Sequence, residues 1–166
     1  MTALPTHTGF GATLRRRAFT LIELIAVIVV LAILSGVAIP KYLDYSARAR
    51  SSALQGALGG VRSGIANFYA NSAIEGTTAY PTLAELTQVG TVMQEGIPTN
   101  PYNGLNTVIA ASQAEATNRT VSGTAAGWRY FVDNASNPPV AVFYANTDDQ
   151  TRVDDGNGSF ETSNDL

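Results

Sequence analysis

Residues 15–42 read RRRAFTLIELIAVIVVLAILSGVAIPKY, and this stretch decides the architecture. Three consecutive arginines precede residues 19–39, a run of 21 residues in which Glu23 is the only charge. At about 1.5 Å of rise per residue, such a run spans about 30 Å as a helix, the thickness of a bilayer core. Basic residues stay on the cytoplasmic side, so Arg15, Arg16 and Arg17 orient the helix with its C-terminal end exported. An ordinary secretory signal has an apolar core of only about 7–15 residues. This run is longer, carries a glutamate near its start and continues into more helix, so a plain signal fits poorly. Pro40 lacks an N–H and crowds the carbonyl one turn back. With Ser35 and Gly36 before it, it predicts a kink or local opening of the helix.

Beyond the proline, Leu54, Leu58, Val61, Ile65 and Phe68 recur at helical spacing and predict one buried face over residues 41–70. Gly56, Gly60 and Gly64 form a second line, with Gly59 nearby. Each glycine weakens a helix by about 1 kcal/mol relative to alanine, so the line predicts close packing against that face, with tolerated drift as the alternative. The helix is expected to fray near Asn71. Thr82 and Glu85 have capping-box spacing, and IPTNPYNG at 97–104 reads as a structured loop. Residues 106–111 and 120–122 are weak strand candidates; 128–132 and 140–145 are stronger ones. The polar, acidic segment 147–166 has no core-forming run and reads as an edge segment and mobile tail. The fold class is therefore α+β. A long N-terminal helix, its first half (19–40) spanning the membrane, packs by its second half on a small antiparallel sheet within residues 71–146.

Charge and composition exclude several functions. From Asn71 onward, 11 carboxylates face only Arg119, Arg129 and Arg152, a net −8 that would repel nucleic acid. The same acids also serve simply to keep an exported head soluble. There is no cysteine, which rules out disulfides, thiolate metal sites and cysteine nucleophiles. The single histidine, His7, lies ahead of the apolar run. No phosphate loop, G-x-S-x-G or metal-spaced histidine motif is present, so no enzyme activity is expected.

RRRAFTLIEL, the apolar run and the distal proline together resemble the class III leader and N-terminal helix of type IV pilins and type II secretion pseudopilins. The resemblance covers about residues 15–50. It implies removal of residues 1–18 by a prepilin peptidase cutting between Ala18 and Phe19, then N-methylation of Phe19. Ala18 stands where the family usually has glycine. It also implies that Glu23 is the glutamate of the fifth mature position, and that Pro40 is the family's helix-breaking proline. YPTL and IPTNPYNG are similar to the YPT and Pro-rich loop of major pseudopilins. The missing cysteine pair also tilts toward pseudopilins. These often hold the C-terminal region with calcium, which would make Asp148, Asp149, Asp154 and Asp155 candidate oxygen ligands; a solvated tail is the alternative.

The implied partners are the peptidase, the membrane, identical or related subunits and an inner-membrane assembly platform. The implied location is a single pass through the inner membrane with the head exported, and a periplasmic or cell-surface filament after assembly. A secretion pseudopilus subunit is the main expectation. A pilus subunit for adhesion, motility or DNA uptake, and a membrane-anchored binding domain that never polymerises, are the alternatives. Glu23 is the residue such a filament must explain. A carboxylate inside an apolar helix disfavours insertion by about 2.5–3.5 kcal/mol at mid-bilayer. It either reaches the membrane interface or pairs with the terminal amine of Phe19 in a neighbouring subunit, where an unpaired charge would penalise misregistered contacts.

Overall fold

The computed structural model describes residues 19–166. The expected leader, with Arg15, Arg16, Arg17 and Ala18, lies outside the described residues. Helix α1 runs Leu21–Ile74, so it neither ends nor opens at Gly36 and Pro40. A proline removes a single amide donor, and the bonds of the turns on either side keep the chain helical through Pro40. The chain divides into two compact units, the first ending at Lys41 and the second Tyr42–Leu166. In the first, every described residue is exposed, including Leu21, Ile22, Leu24 and Ile33.

The second unit is built on the predicted face of α1. Leu54, Leu58, Val61 and Ile65 are buried, and Ser51 extends their line by one turn. They pack with Leu86 of α2 (Leu83–Thr87), Val108 of β1 (Val108–Ala110), Trp128 and Tyr130 of β2 (Trp128–Asp133) and Phe143 of β3 (Val140–Ala145). Trp128 and Phe143 stack with ring centroids 5.3 Å apart. The sheet order is β1-β2-β3. β2 and β3 are antiparallel, but β1 runs parallel to β2, so the sheet is mixed where a purely antiparallel one was expected. Residues 120–122 form no strand. A short helix, α3 (Gln113–Thr117), lies between β1 and β2 instead.

Both short helices begin with the same device. Thr82 Oγ1 accepts from the Glu85 amide, while the Glu85 carboxylate accepts from Thr82 N at 2.7 Å; Ser112 and Glu115 repeat the pattern. These backbone amide bonds, helped by the hydroxyls, hold both carboxyls below the usual carboxylate range. A depressed carboxylate contributes stability above its unfolded pKa and loses it as pH falls through the folded value. Protection of the Thr82 and Glu85 amides, relative to their intrinsic exchange rates, should therefore fall as pH drops below the ordinary glutamate range. Glu85→Gln should flatten that dependence, and an unchanged profile would show that the capping bonds are not formed.

Segment 147–166 is the largest departure from expectation. It is no mobile tail but a two-stranded sheet of β4 (Gln150–Asp154) and β5 (Phe160–Thr162), and Leu166 packs against the core. Its buried side chains are hydroxyls: Thr151 donates to Glu161 O at 2.7 Å, and Ser163 donates to Thr147 O at 2.6 Å. Ser51 ties the hairpin to α1, its hydroxyl accepting from Arg152 N at 2.8 Å and lying 3.1 Å from the Tyr102 hydroxyl. Losing it leaves a part-buried amide without its partner, which costs about 1 kcal/mol. Ser51→Ala should thus lower the melting temperature and speed exchange at Arg152. Unchanged exchange there would mean that the hairpin is held by other contacts.

Candidate functional site

The start of α1 is a third capping box. Thr20 is placed just before the helix, and its N and Oγ1 both donate to Glu23 Oε2 at 2.8 Å. The Glu23 amide donates back to Thr20 Oγ1 at 3.3 Å. In the single chain, therefore, Glu23 folds back on its own helix terminus and satisfies donors that no carbonyl can reach. The T-x-x-E spacing at 20–23 matches that at 82–85, so this contact was legible in the sequence. The anomaly of a charge in an apolar run drew attention away from it. Phe19 is exposed beside this box, and Arg15, Arg16, Arg17 and Ala18 fall outside the described residues.

Behind the box, α1 is long and apolar enough near the N-terminus to cross a membrane. Its apolar side chains have no cover within the described residues: Ile22, Val27, Leu31 and Leu34 are all more than half exposed. Such a surface needs lipid or other apolar helices against it. Among the described residues, Gly64 alone of the glycine line on the second half of α1 is closely approached, where a Cβ would lie 2.9 Å from Met93 Sδ; nothing described lies within 4 Å of a Cβ at Gly56, Gly59 or Gly60.

The proposed calcium ligands are dispersed. Asp148 and Asp149 lie ahead of β4, and the exposed Asp154 and Asp155 cap their own turn, their Oδ1 atoms accepting from Gly156 N and from Asn157 N and Ser159 N respectively. Among the described residues no three acidic, histidine or cysteine side chains come together to hold a metal ion.

Loop 97–104 is fixed to the sheet through Asn100. Asn100 is fully buried; its Nδ2 donates to Gly127 O at 2.8 Å and its backbone N to Leu105 O at 2.9 Å. Trp128 Nε1 donates to Pro98 O at 2.7 Å. On β2, buried Arg129 pairs with Glu115 of α3 at 2.5 Å, and Tyr130 donates to Pro81 O at 2.7 Å while burial pushes its hydroxyl pKa well up. These polar side chains pin loops and short helices to the sheet.

Residues 13–39 match the family described as the prokaryotic N-terminal methylation motif. A 59-residue stretch is 36% identical to the fimbrial protein EcpC of Eikenella corrodens, covering 36% of this chain and 39% of that one. Over the same length it is 42% identical to the type IV major pilin protein PilE of Neisseria gonorrhoeae, covering 36% and 35%. Over about a third of its length, the chain is homologous to type IV pilins. The chain spans well under half the length of these pilin relatives. No solved structure matches it. The matched methylation motif contains Arg15, Arg16, Arg17, Ala18, Phe19, Glu23 and Gly36.

Proposed function

We propose that this chain is a pilin-like filament subunit, held in the inner membrane by residues 19–40 until it is added to a growing fibre. The observation that carries this reading is a helix of uncovered apolar side chains directly behind a methylation motif. Arg15, Arg16 and Arg17 keep the leader cytoplasmic. A prepilin peptidase cuts between Ala18 and Phe19, and the new N-terminus is methylated. The apolar face then exchanges lipid for neighbouring helices, which supplies most of the affinity. Glu23 meets the Phe19 amine of a neighbour and fixes the axial step. A membrane assembly platform with a cytoplasmic ATPase drives the addition. The chain acts mechanically and carries out no catalysis of its own.

Within this reading we favour a type II secretion pseudopilus over a surface pilus. The support is that the C-terminal segment is closed by hydroxyl and backbone bonds, with no cysteine available for a disulfide. The pilin and fimbrial names of the relatives support the pilus instead. Deleting the gene separates the two. Exoproteins trapped in the periplasm with surface fibres intact support the pseudopilus. Loss of surface fibres with normal secretion supports the pilus.

A further inference from the structure

The first turns of the second unit carry two uncovered aromatic side chains that the filament reading leaves without a role. Tyr42 and Tyr45 are 73% and 66% exposed. The head packs on the other side of this part of α1: Asp44 pairs with Arg152 at 3.5 Å, and Ser51 bonds the hairpin and Tyr102. At about 100° per residue, Tyr42 stands about 180° and Tyr45 about 120° round the helix from Ser51. They therefore share a face that the head does not reach.

What meets that face follows from its distance to the apolar run. Tyr42 and Tyr45 come three and six residues after Ile39, about 4.5 and 9 Å along a helix. The polar layer on each side of a hydrocarbon core is about 5–8 Å thick, so the two rings fall in it or at its outer limit. Tyrosine suits that layer because its ring is apolar and its hydroxyl can stay hydrated. Charged side chains flank the pair, with exposed Lys41 just before Tyr42 and Arg48, 68% exposed at its side chain, one turn beyond Tyr45.

We propose that Tyr42 and Tyr45 lodge in the phospholipid headgroup layer on the exported side and set the depth at which α1 waits before assembly. The partner is a lipid surface, and the inference rests on reading residues 19–39 as a membrane span. Extraction into a filament must withdraw both rings from that layer, which makes them a restraint on premature release as well as a depth gauge.

The absence of cysteine allows a direct test with the full chain in phosphatidylethanolamine–phosphatidylglycerol vesicles. Nitroxide labels are placed singly by Val30→Cys, Tyr42→Cys, Tyr45→Cys and Asn67→Cys, and collisions with oxygen and with a water-soluble nickel chelate are compared. The expected order is a hydrocarbon environment at 30, an aqueous one at 67 and intermediate values at 42 and 45. A label at Ile39→Cys should also change depth when Tyr42→Ser and Tyr45→Ser are combined. Labels at 42 and 45 as open to nickel as that at 67, with the label at 30 still in hydrocarbon, would overturn the proposal and leave the span intact. Spin–spin broadening at 42 and 45 would overturn it in favour of a second copy of the chain. An aqueous label at 30 would remove the span itself and the proposal with it.

Discussion

Replacing Gly127 with alanine is expected to be the most destabilising single-methyl change in the second unit. A Cβ at this position would lie 2.0 Å from Leu105 O and 2.7 Å from Leu105 C, against backbone that cannot rotate away. The close approach is fixed from both directions. Gly127 N donates to Thr107 O at 3.0 Å, and Gly127 O accepts from Asn146 N at 2.9 Å and from the Asn100 side chain. Relief would require moving loop 97–105 off the sheet, which also breaks the Trp128–Pro98 bond. Overpacking by one methyl typically costs about 1–3 kcal/mol, and a backbone clash of this kind puts the expected loss at about 3 kcal/mol or more. The chain has one tryptophan, the fully buried Trp128, so its fluorescence and near-ultraviolet circular dichroism report this region directly. Gly60→Ala is the matched control. Nothing lies within 4 Å of its Cβ position, so the better helix propensity of alanine should stabilise the chain by about 1 kcal/mol. If Gly60→Ala is stabilising yet impairs assembly, the open glycines receive a neighbouring helix. If Gly127→Ala melts like the parent, the loop is not packed on the sheet as described.

The second large effect falls on Glu23, where two roles can be separated. Glutamine at the third position of a capping box still accepts from the capping residue, so Glu23→Gln keeps the bonds to Thr20 while removing the charge. Glu23→Ala removes both. Leaving one member of a buried ion pair unpaired costs about 3–5 kcal/mol, which at 1.4 kcal/mol per decade is a loss of about a hundredfold or more in assembly. Both variants should be cleaved after Ala18, and both should fail to form filaments, by electron microscopy of sheared fractions. Thr20→Ala should weaken the helix start by about 1 kcal/mol and leave assembly far less affected. Filaments from Glu23→Gln at the parent level, with Glu23→Ala defective, would mean that Glu23 serves as a helix cap alone.

The parts of this protein that bury apolar surface were legible in the sequence. Leu54, Leu58, Val61 and Ile65 announce their helix face by spacing, and the runs 128–132 and 140–145 show β2 and β3 by their β-branched and aromatic content. Thr82 and Glu85 marked α2 because capping is a local, two-residue code. The C-terminal hairpin was hidden because its interior is Thr147, Thr151 and Ser163, which hydrogen-bond within the fold and carry no hydropathy signal. The direction of β1 was hidden for another reason: strand pairing is set by tertiary context, and a three-residue strand has too little pattern to show it. Helix α3 was within reach, since Ser112 and Glu115 repeat the α2 code, but five residues of QAEAT offer no periodicity to support it. At the functional end, charge and cleavage signals were plain, whereas the Thr20–Glu23 contact was obscured by the stronger signal around it.

If the chain is processed and assembled through its N-terminal helix, the mass of the N-terminal peptide from the membrane and sheared-filament fractions will show it. The expected result is a chain beginning at N-methylated Phe19 in both fractions. A chain beginning at Met1 in the membrane, with none in the filament fraction, would contradict it.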